Sequence, residues 1–181
     1  IDAFERVLDV EPRFTWAHNE LGQTYLIQAE SDRLHGLDPR STLDRAFKQF
    51  QRAVEVDPDF SFPMYGMIRA QLGRLVYETD HGVDAESTIG ALSAAITLLD
   101  GQALSGWLPV YWKTRAIRVR ASYELAKEGD PRKFVSEGLQ AIHAFAAPGT
   151  EPDFLLREVA ELQLIEAEYS VRRSLDTPWQ L

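Results

Sequence analysis

The stretch that decides the fold is "HGLDPRSTLDRAFKQFQRAVEVDPDF", residues 35–60. Within it Leu43, Ala46, Phe47, Phe50, Ala53 and Val54 fall at i, i+3, i+4, i+7, i+10 and i+11, a single apolar stripe at helical spacing. Both ends of the stripe are punctuated. Gly36 stands where a preceding helix needs a left-handed cap, and His35 puts a donor in the last turn, where the helix dipole favours one. Asp38 before Pro39 reads as an N-cap acceptor ahead of a first-turn residue that has no N–H to satisfy. Pro58 keeps the helix from continuing. A second stretch, "HGVDAESTIGALSAAITLLD", residues 81–100, opens in the same way.

Sliding the chain against itself by 46 residues places Asp38 over Asp84 and Asp130, Leu43 over Ile89 and Val135, and Phe50 over Ile96 and Ile142. The same shift carries Asn19 to Tyr65 and Tyr111, and Gln23 to Arg69 and Arg115. A period of that size is the mark of stacked supersecondary units, each unable to bury its apolar face alone. The unit is a helix pair. First helices are expected over about 15–34, 62–80 and 107–127, second helices over about 39–56, 85–99 and 131–146. A half unit over 2–9 precedes them, and a helix over about 153–174, after "APGTEP", closes the stack with a polar outer face. The expected fold class is all-α: a helical-repeat array of about three long helix pairs plus a capping helix. The expected parts are a half repeat at 1–13, pairs at 14–60, 61–106 and a degenerate 107–150, and the capping segment at 151–181.

Composition narrows the function. Nineteen Lys and Arg against 28 Asp and Glu leave a net charge of −9, which argues against nucleic acid as partner, because that binding works chiefly by neutralising phosphates. There is no cysteine, so disulfide frameworks, thiolate metal sites and cysteine nucleophiles are excluded together. No apolar run reaches membrane-spanning length, so no membrane insertion is expected. The chain opens "IDAFERVLDVEP", without a methionine or a signal-like segment, and reads as a piece of a longer, cytoplasmic protein.

No signature of catalysis is found. His18, His35, His81 and His143 are scattered, with no "HExxH", no glycine-rich phosphate loop and no "GxSxG" elbow. A metal site of His35, His81 and the neighbouring aspartates would need the two turns to converge, whereas successive units set them side by side. Glu158, Glu161, Glu166 and Glu168 are expected to be a solvated acidic face. "KTRAIRVR", residues 113–120, taken by itself, reads as a solvated basic face. Trp112, Ala116, Val119 and Tyr123 share core spacing. The chain is expected to be no enzyme, and no cofactor is expected.

Two strings resemble a known family. "HNELGQTY" (His18, Leu21, Gly22, Tyr25) resembles the first helix of a tetratricopeptide repeat with histidine in place of tryptophan, and "AFKQFQRAVEVDP" (Ala46, Phe50, Ala53, Pro58) resembles its second helix. The family period is about 34 residues, and the 12 further residues here imply longer helices. Long repeats with an "HGxDPR" junction are similar to those attached to bacterial serine/threonine protein kinases, although no kinase motif is present. The resemblance implies a right-handed hand for the array, and a non-catalytic interaction module whose groove is lined by first-helix residues. Carried over by position, those are Asn19, Gln23, Tyr65, Arg69, Tyr111 and Arg115; Arg118 extends the same stripe. The implied partner is a protein or an extended peptide, a segment of the parent protein included. Two alternatives stay open: that these arginines pair with the protein's own acids, and that a small ligand binds between helix pairs.

Overall fold

The computed structural model describes residues 1–102, 104–147 and 150–176, with side chains through 174. Pro148 and Gly149 of "APGTEP" and residues 177–181 of the expected capping segment lie outside the described residues. Among the described residues there are eight α-helices and no strand: α1 (Asp2–Val10), α2 (Thr15–Leu34), α3 (Arg40–Val56), α4 (Phe62–Asp80), α5 (Glu86–Gly101), α6 (Trp107–Ala126), α7 (Arg132–Phe145) and α8 (Asp153–Asp176). Their ends lie within two residues of the spans read from the apolar spacing and the turn residues. The chain divides into two compact units, Ile1–Leu104 with α1 to α5 and Ser105–Leu181 with α6 to α8.

The turn inside each helix pair is the same piece of backbone three times. Gly36 and Gly82 have φ of 72° and 63°. The next member of that column, 46 residues on, is Glu128, and it adopts φ 60° although it is no glycine. Around each left-handed residue the closing bonds match. Leu37 N–H donates to the Asp32 carbonyl, Val83 N–H to Glu78 and Gly129 N–H to Glu124, each at 2.8 Å. These are the long bonds of a helix-terminating motif that satisfies carbonyls otherwise left open. His35 and His81 donate from Nδ1 to the carbonyls of Ser31 and Tyr77 at 2.7 and 2.8 Å, as the last-turn position calls for.

The following helix starts on an acid-proline-arginine clasp. Pro39 is already helical, with φ −82° and ψ −6°, so Asp38 is the effective N-cap, and its Oδ1 accepts from Arg40 N–H at 3.0 Å. The Arg40 guanidinium folds back on the same carboxylate at 3.0 and 2.6 Å. Asp130, Pro131 and Arg132 repeat the arrangement, with Arg132 N–H on Asp130 Oδ1 at 3.0 Å and the guanidinium on Oδ2 at 2.6 Å. Those hydrogen bonds stabilise the charged carboxylate, holding Asp38 below its ordinary range and Asp130 down to about 2.

In the Ile1–Leu104 unit α3 packs against both α2 and α4. The wholly buried Phe50 ring is the knob. A Cβ placed at Gly22 of α2 would fall 2.7 Å from that ring, and one at Gly66 of α4 2.5 Å from it. Glycine at these two positions is therefore what admits the aromatic ring between the helices. Leu43, Ala46 and Ala53 continue the buried stripe. At the other end α1 is tied to α2 by a hydrogen bond from Tyr25 Oη to Glu5 at 3.0 Å, while Arg45 of α3 donates to the same phenol.

In the Ser105–Leu181 unit α8 packs on both α6 and α7, burying Leu155, Leu162 and Ile165 against Ala121, Leu125, Val135 and Ile142. Here the small residue sits on the middle helix. A Cβ at Gly138 of α7 would fall 2.8 Å from Leu162 and 3.4 Å from Ile117. The outward side of α8 is less polar than a capping helix requires, since Leu156, Leu164 and Val171 are exposed on it. Its start, Asp153, lies 46 residues after that of α6, and Arg132 lies over the Tyr169 ring at 5.2 Å just as Arg40 lies over Tyr77 at 5.5 Å, both residues shifted by 92. The start of α8 and its ring contact thus recur at multiples of 46 residues.

Candidate interaction surfaces

Four of the seven residues read as a groove lie on α2 and α4. Asn19 and Gln23 are one turn apart on α2, and Tyr65 and Arg69 stand at the corresponding steps of α4. The structure brings the second pair together: Arg69 donates to Gln23 Oε1 at 2.8 Å across 46 residues of sequence. Asn19, only 5% exposed, donates to Glu20 at 2.9 Å, and its Oδ1 has no hydrogen-bond partner among the described residues. Tyr65 is buried, which pushes its phenol above the ordinary range because the phenolate would lose its water. The accessible face shared by the two helices is therefore the Gln23–Arg69 pair, with Asn19 and Tyr65 beneath it.

The other three lie on α6. Arg115 donates to Tyr111 Oη at 2.6 Å and lies over the Tyr111 and Trp112 rings at 5.8 and 5.6 Å. Tyr111 also touches Phe154 of α8, ring centroids 6.1 Å apart. Arg118 faces inward. Its Nε donates to Glu158 of α8 at 2.7 Å, and the Glu158 side chain is 4% exposed. The 46-residue column explains why: Arg118 lies over Leu72 and Leu26, both buried. A charge at a core position needs a partner, and Glu158 supplies it. The internal pairing weighed for these arginines is thus realised at Arg118.

Two expectations are corrected by this arrangement. Glu158 does not belong to a solvated acidic face; it is buried, at 3% exposure. "KTRAIRVR" is not a solvated basic face either, since Arg115 stacks on aromatic rings, Arg118 is ion-paired, and Arg120 lies over Phe134 at 4.4 Å. In both cases α6 is covered by α7 and α8, which helical spacing within α6 alone does not reveal.

A polar column that the sequence reading passed over runs between paired helices. Thr42 donates to Asp32 and Thr88 to Glu78, each at 2.7 Å and each pair 46 residues from the other. Glu78, 2% exposed, also accepts from Arg74 at 2.8 Å, and Arg74 reaches Asp44 of α3 as well. The third occurrence replaces the threonine with Phe134, and Arg120 stacks on that ring. The signal was present, because the shift of 46 aligns both acids and both threonines.

Of the two remaining histidines, His143 has Nε2 3.7 Å from Glu151 Oε1, and His18 is buried, with Nε2 donating to the Pro12 carbonyl at 3.0 Å and Nδ1 2.7 Å from Gln49 Oε1. Both nitrogens are engaged in packing α2 against its neighbours. Among the described residues no group of three or more His, Asp or Glu is placed so that it could hold a metal ion, and no helix is long and apolar enough to cross a membrane. Compared with family models, with curated proteins and with solved structures, the chain matches none.

Proposed function

We propose that the chain is a non-catalytic interaction module of tetratricopeptide-like helix pairs, arranged as a right-handed array and belonging to a larger signalling protein of the kind that carries a bacterial serine/threonine kinase. The supporting observation is the Arg69–Gln23 hydrogen bond across 46 residues. It sets equivalent steps of α2 and α4 side by side, so that one exposed face presents an amide and a guanidinium. Donors of this type suit the carboxylates and backbone carbonyls of a protein segment. Arg115 and Tyr111 offer a second face of the same chemistry on α6. Arg118 is withdrawn from the recognition set, because its charge is spent on Glu158.

The test is affinity capture from a lysate of the source organism with the wild-type chain, Gln23→Ala/Arg69→Glu, and Arg115→Glu, each checked for unchanged helicity. Loss of a retained protein from either variant supports the module and assigns the face. Identical retained sets for all three overturn it.

A further inference from the structure

The period that builds the interior of the Ile1–Leu104 unit also leaves aromatic rings on its surface. "EPRFTW", residues 11–16, leads into α2, and "DPDFSF", residues 57–62, leads into α4. In each, an acid-proline pair is followed by Phe and, two residues later, by Trp or Phe. The rings meet: Trp16 and Phe60 have centroids 4.9 Å apart, Phe60 and Phe62 5.7 Å. Yet Trp16 is 56% and Phe62 61% exposed, and Phe14 is exposed beside them in sequence. In the other unit the corresponding Phe154 is half-buried and packed by Trp107 at 4.6 Å. Phe60, between Trp16 and Phe62, is half-buried, and a contiguous aromatic cluster with its outer rings uncovered is the usual mark of an association site.

Charge decides the occupant. Residues 1–104 hold 17 acidic and 9 basic side chains, a net of −8, while residues 105–181 hold 11 and 10, a net of −1. The two loops contribute Glu11, Asp57 and Asp59, all exposed and none in an ion pair among the described residues, against the single base Arg13. Among the described residues the Asp57 carboxylate accepts one hydrogen bond, from the N–H of Asp59 at 3.2 Å.

We propose that Trp16, Phe60 and Phe62, edged by Asp57 and Asp59, form a docking shelf for a positively charged amphipathic segment of another protein. Its apolar side chains lie on the rings, and its Lys or Arg groups meet the Trp16 face and the two carboxylates. This rests on the module reading, but on residues other than Gln23, Arg69, Tyr111 and Arg115.

The experiment uses the whole chain and two labelled helix-forming peptides of about 14 residues, with Leu at the apolar positions and either Arg or Glu at the others. Binding is followed by fluorescence anisotropy. The Arg peptide is expected to bind, with affinity falling as salt rises to about 0.5 M, and to weaken at least about tenfold on Trp16→Ala/Phe62→Ala. Asp57→Asn/Asp59→Asn is expected to weaken it severalfold. All four side chains are exposed, so these variants keep the fold, checked by helicity. The shelf is overturned if the Glu peptide binds as well, if neither peptide binds, or if the aromatic variant binds the Arg peptide like wild type. It is overturned equally if sedimentation shows that the chain self-associates through these rings, because a second copy is then the occupant. Each of these outcomes leaves the module reading to the capture experiment on Gln23, Arg69 and Arg115.

Discussion

The two units solve the same packing problem with knob and hole exchanged. In Ile1–Leu104 the knob is on the middle helix, where Phe50 enters between glycines of the two flanking helices. In Ser105–Leu181 the hole is on the middle helix, where Gly138 receives Ile117 and Leu162 from its two flanks. Helix spacing is thus kept by a small residue opposite a large one, whichever helix carries it. The turns teach a related lesson, for Gly36, Gly82 and Glu128 hold one backbone conformation with different side chains.

The largest expected effect breaks the knob. Phe50→Ala removes a fully buried ring that touches two helices and should cost about 3–5 kcal/mol by denaturant unfolding. Gly66→Ala should cost about 1–3 kcal/mol, and Gly138→Ala less, because the flexible Leu162 can move where a flanked ring cannot. Equal costs at the two glycines would show that rigidity of the knob is irrelevant.

The next effect concerns the charged column of the second unit. Glu158→Ala leaves the guanidinium of Arg118 at a core position without its carboxylate, for a loss of about 2–3 kcal/mol. Arg118→Leu/Glu158→Leu restores the leucine column of Leu26 and Leu72 and should lie within about 1 kcal/mol of wild type or above it. If the double variant falls as far as the single one, the ion pair itself, not burial of an unpaired charge, is what matters.

A smaller, favourable change tests the turns. Glu128→Gly removes the left-handed penalty of a side chain at φ 60° and should raise stability by about 0.5–1 kcal/mol. Gly82→Ala, where φ is 63° with open space around the Cβ position, should lower it by a similar amount. No gain at Glu128 would mean that its side chain contributes to the turn.

The smallest effect is a pH signature. Asp130 is held down to about 2 by Arg132, so its contribution is complete above the ordinary carboxylate range and is lost as pH falls from about 4 towards 2. Asp130→Asn should lower Tm at pH 7 and match wild type near pH 2. A difference that persists unchanged at pH 2 would place the effect elsewhere than in the charge.

Much of this was legible in the sequence. The helix spans, the left-handed glycines 36 and 82 and the acid-proline starts follow from local rules that need no tertiary partner. What was missed depends on neighbours. Arg118 looks like an exposed base on its own helix, yet the column shared with Leu26 and Leu72 marks it as inward, and only α8 shows what neutralises it. Glu128 was missed because left-handed residues are sought among glycines. The exposed shelf of Trp16 and Phe62 was passed over because aromatic spacing was read for core stripes alone.

The acid-proline-arginine clasp has a consequence in time. Asp38 and Asp130 each find both their backbone donor and their cation within two residues, so the first turns of α3 and α7 require nothing distant in order to close. The slow step of helix formation is fixing that first turn. The contacts that favour that first turn in α3 and α7 are therefore all local in sequence.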